Sequence, residues 1–510
     1  MKTSIKYFAL TFGLLASVAC KKSFLVQNDP NSIALSSFFR TESDVSSAVN
    51  GCYQSLRSSS TVGEDSGLFT DERSDDTGRN DAQSNAGEPY QFHNFSLLPS
   101  NTYLKAHWVA MYQTIYRCNV VLANSSKVTF AAASSGGQYS AEVKFIRAMI
   151  YFDLVRKWGD IPLVTNPLAT ISQVTANTYR QKQDSVFAQI VRDLTDVVNS
   201  PLPNLQPVTG IGHVSKAAGN ALLGKVYLTM ALTLNQGNRT TNLNLAKSAL
   251  LAAYNLRTFG KLSEIPYTDV FDVNKKSTCP ELILQIVNKQ GDINFSSDIA
   301  AINQAKGDLI NSLKPSSSVG GNVTHDLVND YEPKDLRGAF SIKFDSNAAV
   351  KDWYITKYRD VSAAAGVNGY GGNNTILLRY ADVILMLAEV SQYLGDNASA
   401  IAYLDLVRAR AGMPSYETTM LNTTYNTKYP NLMLAILHER RVELAFEHQR
   451  WFDLIRTFST PQLVAFFQAK SQANYGTALL SNFTTKDRFY PIPYDEFKLD
   501  PVKMYQNPGY

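Results

Sequence analysis

A chain of 510 residues that is 45% hydrophobic and 18% charged has enough apolar side chain for a large buried core, which excludes intrinsic disorder. Its 48 Lys and Arg against 44 Asp and Glu leave a net charge of +4, and with no dense basic run this excludes the footprint of a nucleic-acid binder. Length alone suggests about three domains, although helical arrays often run longer as one body.

In chain order, the first element is a targeting segment. MKTSIKYFALTFGLLASVAC sets Lys2 and Lys6 before an apolar run from Tyr7 to Val18 and small residues before Cys20. This is the pattern of a secretory signal peptide over residues 1–19, with an apolar run too short to span a bilayer. SVAC resembles a bacterial lipobox, so Cys20 is the expected lipid attachment site and mature N-terminus. Ser17 stands where a large aliphatic residue is usual, and ordinary cleavage nearby with a soluble exported product is the alternative. No other segment reaches the roughly 18 consecutive apolar residues of a membrane helix, so any membrane attachment is expected from lipid. The remaining cysteines, Cys52, Cys118 and Cys279, are odd in number and widely spaced. They make neither a disulfide framework nor a CxxC metal site. Cys52 and Cys118 sit in helical patterns and are expected as small buried hydrophobes.

Apolar residues recur at three and four over 102–124, 139–158, 180–198, 214–233, 243–256, 376–394, 397–411 and 431–456, which predicts helices. Strand alternation is weak, with 282–287 (LILQIV) a short candidate, and this excludes a transmembrane barrel. Two segments read as copies of one helical hairpin. In 380–412, Ala388 is followed by Gly395, then Ala400, Leu404 and Val407; in 214–253, Gly224 and Tyr227 precede Ala246, Leu250 and Ala253, with about ten extra residues at 233–242. Both resemble tetratricopeptide repeats, where small residues let two helices approach and a glycine closes the turn. The stretches 57–101 and 258–375 are rich in Ser, Gly, Asn, Asp and Thr and predict long loops on a rigid array, where binding residues are usually carried.

The stretch ERRVELAFEHQRWFDLIR (439–456) mixes charge with bulk. On one helix Leu444, Trp451 and Ile455 line a face, with Val442, Ala445 and Phe452 beside it. Arg440 with Glu443, Arg450 with Asp453, and Asp453 with Arg456 fall at three-residue spacing. A helix apolar on most sides is buried, and buried charges need partners, so the stretch reads as scaffold. His438 and Glu439 begin a zinc-protease HExxH, but Val442 stands at the second His and the ligand set fails.

These residues also carry a resemblance. ERRVELAFEHQRWFDLIR is similar to the C-terminal signature of the SusD/RagB family of nutrient-binding outer-membrane lipoproteins. FFRTESDVSSAVNGCYQSL (38–56) resembles its first helix, and EVKFIRAMIYFDLVRKWGDIPLVT (142–165) its RAxxYFxLVxxxGDxPLV pattern. GHVSKAAGNALLGKVYLTMA (212–231), ILLRYADVILMLAEV (376–390), LDLVRARAG (404–412), RFYPIPYDEF (488–497) and QNPGY (506–510) follow in the same order. The resemblance implies a mainly α fold, an α-helical array of four tetratricopeptide-like pairs with long loops and minor β structure. It implies one domain over 20–510, with the helix pairs in about 20–300 and the SusD/RagB part in about 300–510. It further implies a lipid-anchored protein on the outer face of the outer membrane, binding an oligosaccharide or other nutrient and passing it to a SusC-like TonB-dependent barrel transporter. Lys21 and Lys22 follow Cys20 where an acidic export signal is often seen. Neither an enzymatic role nor a cofactor is implied.

Glycan recognition needs flat aromatic faces for the apolar side of a sugar ring and polar groups for its hydroxyls. Trp108, Trp158 and Trp451 lie in scaffold segments and are expected to pack. Trp353, in DWYITKY, is either a stacking residue or a strand residue packed on the array; it lies near the glycine-rich stretch 366–374 that carries Tyr370. The loop 71–95 holds Asp75, Asp76, Arg79, Asn80 and Asp81 as candidates for hydroxyls, with Tyr90 as a candidate stacking ring; in the family, the segment at this position contributes to the ligand face. Its alternative is a plain solvated loop. Its acidic density falls short of a calcium loop, lacking the DxDxDG spacing and the terminal Glu. Three other readings stand beside this one: the same delivery role with peptide or glycoprotein-derived cargo, a glycoside hydrolase, which would need two carboxylates flanking a sugar, and a structural surface protein.

Overall fold

The computed structural model describes residues 38–78, 87–234, 236–315, 322–347, 351–476 and 478–510. The expected signal peptide, with Cys20, lies outside them, as do Arg79, Asn80 and Asp81. The main helices are α1 (Glu42–Leu56), α2 (Thr102–Ser125), α3 (Ala133–Trp158), α4 (Gln183–Val198), α5 (Lys216–Thr233), α6 (Arg239–Tyr254), α7 (Tyr380–Tyr393), α8 (Asn397–Arg410), α9 (Leu432–Glu443), α10 (Arg450–Thr457) and α11 (Thr460–Gln468). Local chemistry sets their ends. Thr41 and Asp44 form a capping box on α1, Asn101 caps α2, and Ser215 caps α5.

From α1 to α8 each helix packs on the next, and α9 lies against both α7 and α8. The two expected hairpins are α5/α6 and α7/α8, joined by short connections that make neighbours antiparallel. Gly224 shows why the spacing matters: a Cβ there would lie 2.5 Å from Leu250 Cγ, so only glycine lets α5 and α6 approach this closely. Gly395 closes the α7/α8 turn with φ +81°. The connection after α5 is shorter than 233–242, because α6 already begins at Arg239.

Apart from isolated bridges, the strands among the described residues pair in two-stranded pieces, all antiparallel: β1 (Ile161–Pro162) with β2 (Arg180–Gln181), β3 (Leu282–Ile286) with β6 (Thr375–Arg379), and β4 (Ile342–Asp345) with β5 (Asp352–Ile355). The helices expected at 180–198 and 376–394 therefore each start with strand residues. The largest core runs through α1 to α7 and holds Cys52, Cys118, Trp108 and Trp158 fully inside; Trp451 anchors a second cluster with Phe467 and Phe483. Among the described residues no helix is long and apolar enough to cross a membrane.

The stretch 431–456 is not one helix. It breaks between α9 and α10, where Phe446 (φ +64°) and His448 (φ +61°) adopt left-handed backbone. Tertiary bonds account for the break. Lys357 Nζ donates to Ala445 O at 2.7 Å and Tyr358 Oη donates to Phe446 O at 2.7 Å, taking carbonyls a helix would use. Glu447 is turned inward between Arg379 and Lys357. Of the three expected ion pairs only Asp453 with Arg456 forms, at 2.8 Å. Arg440 takes Asp453 and Asp382 instead, and Arg450 takes Asp75.

Candidate functional site

Asp75 and Asp76 do not face solvent. Arg450 holds both oxygens of Asp75 at 2.6 and 2.9 Å, and Lys470 Nζ adds a third bond at 2.8 Å. Arg441 Nε donates to Asp76 Oδ1 at 2.7 Å, and its Nη1 reaches Asp326 and Asp330, each at 2.8 Å. Both aspartates are fully buried, so their carboxylates are committed to cations and are not open to sugar hydroxyls. Burial raises the Asp75 carboxyl, but the surrounding Arg441, Arg450 and Lys470 outweigh it and hold it well below the usual range. Asp76 goes the other way: burial, joined by the charge of Asp75, outweighs the arginines and pushes it up to about 7.

This ionic layer fixes the meeting of two distant segments. Thr324 Oγ1 donates to Asp75 O at 2.7 Å, Thr324 N to Asp76 O at 3.1 Å, and Gly78 N to Asn322 O at 2.8 Å. Thr77 and Val323 form an antiparallel bridge between them. One residue further, His325 Nε2 pairs with Asp352 Oδ1 at 2.7 Å and brings the β4–β5 hairpin alongside. Trp353 stands opposite Phe344 in that hairpin, the rings 5.6 Å apart at 68°. Trp353 is half-buried and Phe344 is 46% exposed, so the pair presents aromatic surface.

Asn322 Nδ2 donates to Asn303 Oδ1 at 3.3 Å. Gly369 (φ +74°) lies tight against Lys314 and against Ala301 of the short helical turn Ile299–Ile302; the next residue, Tyr370, is half-buried, its carbonyl accepting from Gly291 N at 2.8 Å. Hydrogen bonds thus tie the end of segment 71–78 to residues 322–325, which reach the β4–β5 hairpin through His325 and Asn303 through Asn322. Tyr90 does not join them as an open stacking face, being buried at the head of the turn Tyr90–His93. Asn303, Asn322, His325, Phe344 and Asp352 were not singled out from sequence; their residue types suit hydroxyl and ring recognition, but only the fold gathers them.

One group of metal-type donors converges among the described residues: Glu332, His438 and Glu439. Its carboxylates are already neutralised. Arg408 Nη1 bonds Glu332 at 2.8 Å and Glu439 at 2.9 Å, while Arg337 Nη1 bonds the other oxygen of Glu439 at 2.6 Å. A guanidinium occupies the place where a divalent ion would need its negative charge, which agrees with the failed HExxH spacing.

Comparison with known proteins accords with this architecture. Residues 336–510 match the model of the SusD family, and residues 23–228 match a family described as starch-binding associating with outer membrane. A SusD-like protein P2 of Formosa agariphila is 27% identical over 99% of this chain and 100% of its own length. A SusD-like protein of Bacteroides ovatus is 24% identical over 90% of this chain and 83% of its own. Among solved structures, a laminarin binding SusD-like protein superposes with a TM-score of 0.73 at 25% identity, covering 92% of this chain and 100% of that one. Surface glycan-binding protein A from Bacteroides fluxus shares the fold with a TM-score of 0.73 at 20% identity, covering 92% and 100%. Together with the ordered motifs from Phe38 to Tyr510, these matches establish that the chain belongs to the SusD/RagB family.

Proposed function

We propose that the protein captures an oligosaccharide on the face built from the Trp353–Phe344 hairpin, Asn303, Asn322 and Tyr370, and delivers it unchanged to a SusC-like TonB-dependent transporter. In this reading residues 20–510 act as one domain, held by lipid on Cys20 at the outer face of the outer membrane. The observation that carries it is an aromatic pair, half-buried Trp353 and exposed Phe344, on a hairpin whose Asp352 pairs with His325, an arrangement suited to a sugar ring and its hydroxyls. The full-length likeness to a protein that binds laminarin supports carbohydrate over other cargo. Against hydrolysis, Asp75, Asp76, Glu439 and Glu443 are each bonded to arginines, and Asp352 of the face is engaged by His325. A delivery protein suits millimolar to micromolar affinity, on the order of 4 to 8 kcal/mol. Stacking supplies roughly 0.5 to 1.5 kcal/mol per ring, so polar groups contribute the remainder.

The test is calorimetric titration with a glycan panel that includes laminarin fragments, repeated with Trp353→Ala, alongside an assay for new reducing ends. Saturable binding weakened about three- to ten-fold by the variant, with no new reducing ends, is expected. Binding of peptides in place of glycans would retain delivery but replace the cargo, and turnover would refute the non-enzymatic role.

A further inference from the structure

Away from that face, a cleft of about 180 Å³ opens between the C-terminal half of α1, the middle of α3, residues 211–214 and strand β3. Its floor is apolar, made by Phe145, Ile146, Met149, Leu284 and Leu377. An apolar cavity of roughly 150 Å³ holds one benzene-sized group, so this floor fits a side chain the size of Leu or Phe. The rim is polar. Asn50, Gln54, Arg57 and His213 stand around it.

The charges on this rim do not cancel. His213 Nδ1 pairs with Glu142 Oε2 at 2.7 Å, and Tyr53 Oη donates to the same oxygen at 2.6 Å. That hydrogen bond lifts His213 above its ordinary value, and Glu142 balances its charge. Arg57 has no such counterpart. Its Nη1 donates to the Val287 carbonyl at 2.6 Å and its guanidinium lies 5.3 Å from the centre of the Phe295 ring. No carboxylate pairs with it among the described residues, and the acid that acts on it, Asp292, is bonded by Lys289 at 3.2 Å. A guanidinium that is partly removed from water and meets only a carbonyl and a ring favours a planar anion, which it binds through two parallel hydrogen bonds.

We propose that this cleft is a second binding site, for an amphiphilic carboxylate: an apolar group of Leu or Phe size seated on the floor, with its carboxylate on Arg57. The wall is tight: Gly212 (φ +91°) passes so close to Val287 that a Cβ would lie 2.9 Å from Val287 Cγ2, and Val214 N donates to Tyr53 Oη at 3.0 Å. A free acid and the C-terminal residue of a peptide carry the same chemistry.

Titration calorimetry with hydrocinnamate, its neutral amide, and the peptide Ala-Ala-Phe with a free C-terminus tests the site. Hydrocinnamate or the peptide is expected to bind, with the amide and the Arg57→Gln variant each weaker by about ten-fold or more. Met149→Trp, which fills the floor, is expected to abolish binding while the thermal midpoint of the protein stays close to wild type. Tighter binding of the peptide identifies a chain terminus as the occupant, and binding of hydrocinnamate alone identifies a free acid. The proposal falls if acid and amide bind alike, if Arg57→Gln binds as wild type does, or if neither probe binds.

Discussion

Arg450 grips Asp75 through two parallel bonds, Nε to Oδ1 at 2.6 Å and Nη2 to Oδ2 at 2.9 Å, across 375 residues of chain. Removing one partner of a buried pair leaves an uncompensated charge, which costs about 3 to 5 kcal/mol. Asp75→Ala strands Arg450 and weakens the hold on Arg441 and Lys470, so a loss of that size is expected in urea denaturation. A loss under about 1 kcal/mol would place the pair in the class of solvated surface bridges.

Glu443 is the acceptor for three guanidinium groups, from Arg337, Arg379 and Arg410. Glu443→Gln is expected to destabilise by about 3 to 5 kcal/mol. In a double-mutant cycle with Arg379→Met, the second substitution should cost less than it does alone, because the two residues share one network. Additive effects would count against that coupling.

Stability should respond to acid in two opposed ways. Burial raises the carboxyls of Glu439, Glu443, Glu447 and Asp453, but their arginine partners outweigh it and hold them below ordinary values. Such groups contribute stability that is present above an unfolded value of about 4 and lost as pH falls through the folded one. Asp76, pushed up to about 7 chiefly by burial, has the opposite sign. Its contribution is full below about pH 4 and fades as pH rises toward about 7. Urea midpoints measured against pH should therefore decline less between about pH 4 and 7 for Asp76→Asn than for wild type, with the acid limb unchanged. Parallel curves would mean that Asp76 is ionised throughout.

Gly224 permits a close approach of α5 and α6, and a methyl group there would meet both Leu250 Cγ at 2.5 Å and Leu250 N at 3.1 Å. Backbone cannot yield as a flexible side chain does. Gly224→Ala is expected to cost about 1 to 3 kcal/mol through overpacking, read as a lowered thermal midpoint. An unchanged midpoint would show that α6 shifts freely.

The helical array was legible because its apolar period is local: α2, α5 and α8 fall within a few residues of the expected bounds. ILLR at 376–379 was not, since a short apolar run fits helix and strand equally, and only pairing with β3 decides it. The break at Phe446 and His448 is set by Lys357 and Tyr358, nearly ninety residues away. Asp75 and Asp76 read as candidates for sugar hydroxyls, or as part of a solvated loop, for the same reason. Their cations lie at 441, 450 and 470, and no local pattern announces a partner that distant. Of the expected ligand residues, Trp353 and Tyr370 are half-buried, while Asp75, Asp76 and Tyr90 turn inward.

The long reach of these bonds bears on how the chain is made. Arg73 pairs with Asp487 across 414 residues, and Tyr490 Oη donates to Phe69 O across 421. The first quarter of the protein thus buries charges whose partners are synthesised last. A chain halted before Arg441 would leave Asp75 and Asp76 without their cations, so this ionic layer closes only after Arg441, Arg450 and Lys470 have joined the chain.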